Sequence, residues 1–235
     1  MGYQRDGADL MGAVQQALLM AGAAADTFPS GVVSYWPFEE GSGTNTEDTV
    51  GANDGTLVNS PAWSTDEKIG TYGLDFSGAT NRAVTIPVSH DMSSQDMSFG
   101  VWAKRTGTND NRVAFSWVQA SQYLLLIHRT DTAGLTLQVS DGGAATFINT
   151  GVAMTVGTYY LIGFTKSGTT YTVRIDSSTA VASYTFSAGS SGFTIGNYAG
   201  ILAMDGILDE AFYFTRALSG PEWAAIYNAG AGRRP

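Results

Sequence analysis

The sequence predicts an all-β fold: a two-sheet antiparallel β-sandwich, preceded by an amphipathic helix and closed by a short C-terminal helix. Three observations carry that expectation. Roughly twelve short segments alternate apolar and polar residues with the period of two that a half-buried strand requires. Turn residues separate these segments; the chain has 29 glycines and only 14% charged residues, which suits many short strands joined by tight turns. Its 235 residues, 43% of them hydrophobic, can bury one large core, and all-β sandwiches of this size are often single domains.

The N-terminal segment, residues 1–30, reads as a helical arm and linker. Asp9 can cap a helix. Leu10, Val14, Ala17, Leu18 and Ala21 then share one helical face. A helix of this length is not stable alone, so it must dock, either on its own domain or on a partner subunit. Leu10, Val14 and Leu18 are the anchoring side chains in the second case. Pro29-Ser30-Gly31 reads as the linker.

The sandwich then occupies residues 31–235. Val33 to Phe38 reads as the first strand and Gly55 to Val58 as the second. Leu74 to Phe76 and Ala83 to Ile86 follow. Met97 to Lys104 is a strong strand with Phe99, Val101 and Ala103 on one face. Val113 to Val118, Tyr123 to His128 and Leu135 to Val139 read as a meander. Tyr160, Ile162 and Phe164 alternate, as do Tyr171, Val173 and Ile175, and Lys166 to Thr170 makes the hairpin turn between them. Thr185-Phe186, Phe193 to Ile195 and Ile207 to Phe214 complete the set. Ser219 and Glu222 form a capping box with Pro221 in the first turn. Trp223, Ile226 and Tyr227 give that last helix an apolar face, and Gly230 reads as its stop.

Charge and composition exclude several functions. A net charge of −9 argues against binding a nucleic-acid backbone, which requires clustered Lys and Arg. The chain has no cysteine, so disulfides, thiolate metal sites and cysteine nucleophiles are excluded. No segment reaches the roughly 18 consecutive apolar residues of a membrane span. Leu10 to Ala25 resembles a signal peptide, but Asp6 and Asp9 offset Arg5 and Gln15-Gln16 interrupt the apolar centre, so a cleaved signal is not expected.

Several blocks together resemble the laminin-G-like jelly rolls of the concanavalin A-like lectin and glucanase superfamily. They are Val32 to Trp63, with VVSYWPFEEGSGTNTEDTVGANDGTLVNSPAW; Gly73 to Gly78, with GLDFSG; Ala83 to Pro87; Met97 to Ala103; and the closing Gly206 to Asn228, with LDEAFYFTRALS. The resemblance implies two curved antiparallel sheets, usually without catalysis, binding glycans or proteins and often carrying one calcium ion at the rim. It does not extend to residues 1–29.

The candidate metal ligands are Glu39, Asp48, Asn53 and Asp209. Calcium takes six to eight oxygens, and the Gly-rich loop from Glu39 to Asp54 is expected, by the resemblance, to lie close to the last strand. Strict alternation in Ile207 to Phe214 puts Asp209 on the core face with Ala211 and Tyr213. Glu210, Phe212 and Phe214 then face outward, and the two phenylalanines become a contact surface for the N-terminal helix or a neighbour. Asn53-Asp54-Gly55 is equally well explained as a turn.

Candidate ligand contacts are Asn109 and Asp110, in a polar loop between strands, and Trp102, Trp117 and Tyr123, whose rings could stack on sugars. Catalysis is not expected. Two histidines, His90 and His128, lie near no recognisable nucleophile. No E-x-D-x-x-E strand supplies the paired carboxylates of the superfamily's glucanases. The expectation is therefore a non-catalytic recognition or adhesion domain binding glycan or surface protein at a loop rim, at a cell exterior or virion surface. The alternative is a structural decoration subunit of a phage particle, held through residues 1–29.

Overall fold

The computed structural model describes residues 27–79, 81–109, 111–129 and 134–235. The N-terminal helix with Leu10, Val14 and Leu18, and the loop residue Asp110, lie outside the described residues. Sixteen strands are present among those described. In chain order they are β1 (Ser34–Trp36), β2 (Asn45–Thr46), β3 (Gly55–Val58), β4 (Ala62–Ser64), β5 (Gly73–Asp75), β6 (Ala83–Asp91), β7 (Met97–Arg105), β8 (Arg112–Gln119), β9 (Gln122–Arg129), β10 (Gly134–Asp141), β11 (Thr146–Asn149), β12 (Tyr159–Ser167), β13 (Thr170–Ile175), β14 (Ser178–Ser183), β15 (Ser190–Ile195) and β16 (Gly206–Phe214); one helix, α1 (Gly220–Tyr227), follows.

Two eight-stranded sheets form the sandwich. The first runs β14-β13-β12-β7-β16-β5-β4, with β1 also paired to β16; the second runs β11-β10-β9-β8-β15-β6-β3-β2. All the named strand pairs are antiparallel. The inward rings of the two sheets meet at Phe99, Phe115, Phe164 and Phe193, where Phe99 and Phe115 have centroids 4.4 Å apart and Phe115 and Phe193 5.1 Å apart. Trp36 and Trp117 complete this core.

The outer face of the first sheet is also covered, which is why every residue of β7 and β16 is buried. Helix α1 lies there, with Trp223 and Ile226 against Trp102, Leu161, Phe212 and Phe214. Two glycines let this face pack closely. A Cβ on Gly100 would fall 2.2 Å from the Phe212 ring, and one on Gly163 would fall 2.5 Å from Trp223. The predicted capping box is formed: Ser219 accepts from Glu222 N, and Glu222 accepts from Ser219 N at 2.8 Å. The helix ends at Asn228 rather than at Gly230, because Asn228 itself adopts the left-handed conformation, φ 47°, which asparagine tolerates.

The last strand departs from strict alternation. Asp209 pairs with Trp102 but Phe212 pairs with Gly100, so Glu210 and Ala211 together oppose Val101. This is a β-bulge, and Glu210 takes it up with φ 54°. The bulge reverses the parity of everything before it. Asp209 therefore leaves the core face and shares the outer side with Trp102, while Leu208, Ala211 and Tyr213 face the core. Other differences are smaller. β1 stops at Trp36 because Pro37 has no N–H to donate and Phe38 turns to φ 58°. Thr185-Phe186 lies beyond β14 rather than in a strand, although Phe186 is buried. The short strands β2, β4, β11 and β14 were not expected.

Candidate ligand-binding site

The sequence-predicted residues scatter over the molecule, and three places bear on a site. At the first, on the covered side, the acidic residues meet a cation. Asp209 is fully buried and its Oδ2 accepts from the backbone N–H groups of Lys68 at 2.8 Å and Ile69 at 3.1 Å. Glu210 accepts from Arg234 Nε at 2.7 Å. Arg234 also pairs with Glu39 and donates to Ile69 O at 2.9 Å. Glu39 in turn accepts from Thr71 N at 2.9 Å. Burial pushes the Asp209 carboxyl up to about 7, partly offset by those backbone donors. Burial does the same to Glu210, against the pull of Arg234.

Asp48 and Asn53 lie elsewhere, in the loop after β2. Asp48 Oδ1 accepts from Tyr35 N, Val50 N and Gly51 N at 2.9, 3.2 and 2.9 Å, and Oδ2 accepts from Asn53 N at 3.1 Å. A carboxylate ringed by N–H donors is a structural clip for a loop, the opposite of a cation cradle. The four predicted ligands are thus not brought together, and each side chain already serves protein partners: Asn53 Nδ2 donates to Ser34 Oγ at 2.8 Å. Among the described residues no group of three His, Asp or Glu is placed to hold a metal ion. This donor set does not fit calcium.

Trp102 and Trp117 are also removed from the candidate ligand face. Trp102 is buried beneath α1 with its ring stacked on Tyr227, centroids 6.0 Å apart. Trp117 is in the core and donates its indole N–H to His90 O at 3.0 Å. Phe212 and Phe214 are covered in the same way, by α1 and by Phe28, whose ring lies 5.8 and 6.1 Å from theirs. They are not a free contact surface.

The second place is the outer face of the second sheet. Tyr123 is half-buried there, 5.8 Å from Tyr198, over Val113, Leu125 and Ile127. Gln138 Nε2 donates to the Tyr123 hydroxyl at 3.1 Å.

The third place is a cavity at one end of the sandwich, with a volume of about 550 Å³. Three connections build it: β5 to β6, β7 to β8, and β15 to β16. It is lined by Phe76, Ser77, Gly78, Ala79, Asn81, Asn109, Arg112, Ala203, Met204 and Asp205. The loops are braced by main-chain bonds: Phe76 N to Gly206 O, Thr106 N to Asp205 O, and Met204 N to Gly196 O, at 2.9, 3.0 and 2.7 Å. Phe76, Ala203 and Met204 are buried and supply an apolar floor. Asn109 Nδ2 donates to Asp205 Oδ2 at 2.5 Å, and its carbonyl accepts from Arg105 at 3.1 Å. Ser77 is held by Asp75 Oδ1 through its N–H at 2.8 Å.

This size and this mixture of apolar floor and convergent polar groups are those of a small-molecule site. Planar amide, carboxylate and guanidinium groups offer paired donors and acceptors for adjacent hydroxyls. Of the sequence-predicted ligand residues only Asn109 lines it. Ser77, Asn81, Arg112 and Asp205 were missed. The one signal that could have found Arg112 is its position next to the polar Asn109–Asn111 loop; Asp205 comes from a loop without any recognisable motif.

Comparison with known proteins places this architecture. A laminin-G profile of the concanavalin A-like lectin/glucanases superfamily matches residues 77–223. The chain belongs to this superfamily. No curated protein matches the chain in sequence. Among solved structures, domain 4 of AbnA, a GH43 extracellular arabinanase from Geobacillus stearothermophilus in complex with arabinotriose, aligns with TM-score 0.68 and 16% identity, over 83% of this chain and 97% of that one. Trypanosoma rangeli sialidase aligns with TM-score 0.65 and 13% identity, over 88% of this chain but only 34% of the sialidase. The botulinum neurotoxin serotype D binding domain aligns with TM-score 0.64 and 10% identity, over 85% of this chain and 52% of that one. At these identities the likeness is one of fold. The superfamily fold serves glycosidases and non-enzymatic binding domains alike.

Proposed function

We propose that this domain is a non-catalytic carbohydrate-binding module whose ligand enters the loop-rim cavity between β5–β6, β7–β8 and β15–β16. The observation that carries the reading is the convergence of Asn81, Asn109, Arg112 and Asp205 over the apolar floor of Phe76 and Met204. Support comes from the similar arabinanase domain, itself in complex with arabinotriose. A binding rather than a hydrolytic role is favoured by the described lining, in which Asp205 is the one carboxylate; a glycosidase of the usual kind works with two.

The test is a glycan array followed by calorimetry on the strongest ligands. Binding that weakens at least tenfold in Asp205→Asn and Asn109→Ala, with no release of new reducing ends from the bound glycan, supports the reading. Silence across a broad array, or hydrolysis, overturns it. Presentation on a cell or particle surface through residues 1–29 is the second part of the proposal, and the sequence pattern of Leu10, Val14 and Leu18 supports it. Deleting residues 1–26, which leaves Phe28 in its contact with Phe212, should abolish self-association or particle incorporation. Unchanged assembly would overturn this part.

A further inference from the structure

The chain is poor in cations, with 12 Lys and Arg against 21 Asp and Glu. Almost every described cation has a task. Arg234 holds Glu39 and Glu210. Arg216 holds Glu222, and Lys104 holds Asp66. Lys68 and Arg174 lie over the rings of Trp102 and Trp223. Arg112 is the exception. Among the described residues its guanidinium makes no hydrogen bond, ion pair or ring contact, and its Nε is buried without a partner. It lines the rim cavity. Asp205 lines the same cavity, yet no ion pair joins the two; Asp205 is engaged by Asn109 at 2.5 Å instead.

A guanidinium is a rigid fork matched to a carboxylate, and leaving one without partners in a partly buried place costs stability that a ligand anion would recover. We infer that the cavity selects sugars bearing a carboxylate, which seat the acid group on Arg112 and turn their hydroxyls toward Asp205 and the amides of Asn81 and Asn109. This rests on the carbohydrate-binding reading above and narrows it to a class. The carboxylate could belong to a uronic acid or to a sialic acid; both present the same charge to the same fork.

The test uses the folded full chain and two matched pairs: trigalacturonate against its methyl ester, and sialyllactose against its methyl ester. Within each pair the ligands differ in the acid group. Calorimetry should show the acidic member of one pair binding about 10- to 100-fold more tightly than its neutral counterpart, the scale of one charge-assisted contact. The responding pair identifies the source of the carboxylate. Arg112→Gln should erase that preference, so that the acidic and neutral members of the pair bind with equal affinity. Arg112→Lys, which keeps the charge but not the fork, should retain part of it. Equal binding of acidic and neutral members overturns the inference and leaves the carbohydrate reading standing. Failure of all four ligands, with other array glycans bound through Asp205, does the same. Silence across the whole array overturns both.

Discussion

Two arginines in this chain sit in opposite circumstances. Arg234, on the covered side, touches Glu39, Glu210 and the carbonyl of Ile69. The side chain of Arg112, at the open rim, makes no hydrogen bond or ion pair among the described residues. Both are partly buried, so exposure does not separate them. What separates them is completeness. A charge that serves the fold is surrounded by partners from its own chain, because a buried group without them costs free energy. A charge left incomplete in a cavity is available to something else. The same contrast holds for carboxylates: Asp48 is saturated by four backbone donors, whereas Asp205, which lines the cavity with Arg112, accepts from the single side chain of Asn109.

The largest test of this contrast is to break the covered side. Trp223 is buried, packs on Phe212 at 5.5 Å and donates its indole N–H to Thr165 Oγ1 at 2.9 Å. Trp223→Ala should cost about 3–5 kcal/mol in urea unfolding. Ligand affinity measured on the remaining folded protein should not change. A parallel loss of affinity would mean that the covered side shapes the cavity, and the separation of the two regions would fail.

Next in size is Arg234→Met. It leaves Glu210, whose side chain is only 2% exposed, without its cation. Removing one partner of a buried pair is strongly destabilising, but Arg234 itself is 36% exposed, so solvent moderates the loss. We expect about 2 kcal/mol at pH 8 and less at pH 5.5, where Glu210 can take up a proton instead. An equal loss at both values would show that Glu210 is not the group left stranded.

Much of this molecule was legible in its residues. The strands, the capping box and the two-sheet architecture follow from alternation, turn chemistry and the Ser219–Glu222 spacing. The covered acidic strand was not legible, because one bulge at Glu210 reverses the parity on which side-chain direction depends. A glutamate with φ 54° has no sequence signature; such a position usually announces itself by glycine. Trp102 is hard to place because an aromatic ring opposite a core face reads as exposed unless the covering helix is already known; Trp117, beside the Gln119–Gln122 loop, turns instead into the core between the sheets. The cavity was the least legible part. Its residues come from three loops far apart in the chain, and only the fold brings Asn81, Asn109 and Asp205 together.

A smaller effect is expected from pH. The Asp209 and Glu210 carboxyls titrate near 7 when folded and near 4 when unfolded. Between these values the folded chain holds more protons, so raising the pH from about 4 to about 7 lowers stability. His90 opposes them. Burial, aided by Lys166, holds its imidazole down at about 4 against an ordinary 6.5. Through that window the unfolded chain takes the extra proton, and its contribution is lost as pH falls. From pH 6.5 to 8 the two carboxyls outweigh His90, whose unfolded imidazole gives up only its remaining fraction of a proton there. Asp209→Asn, whose amide oxygen can still accept from Lys68 and Ile69, should flatten the decline in urea midpoint over that range. An unchanged slope would assign the decline to other groups.

The smallest effect on stability should come from Arg112→Gln. Its side chain makes no polar or ring contact among the described residues, so nothing in the fold depends on its charge. Substitutions away from core, cap and network typically change stability by less than about 0.5 kcal/mol. Removing a buried Nε that lacks a partner biases even that small change toward stabilisation. The comparison between the two arginines then takes its sharpest form: Arg234→Met lowers the urea midpoint and spares binding, while Arg112→Gln spares the midpoint and alters binding. A destabilisation by Arg112→Gln as large as that by Arg234→Met would show that Arg112 serves the fold rather than a ligand.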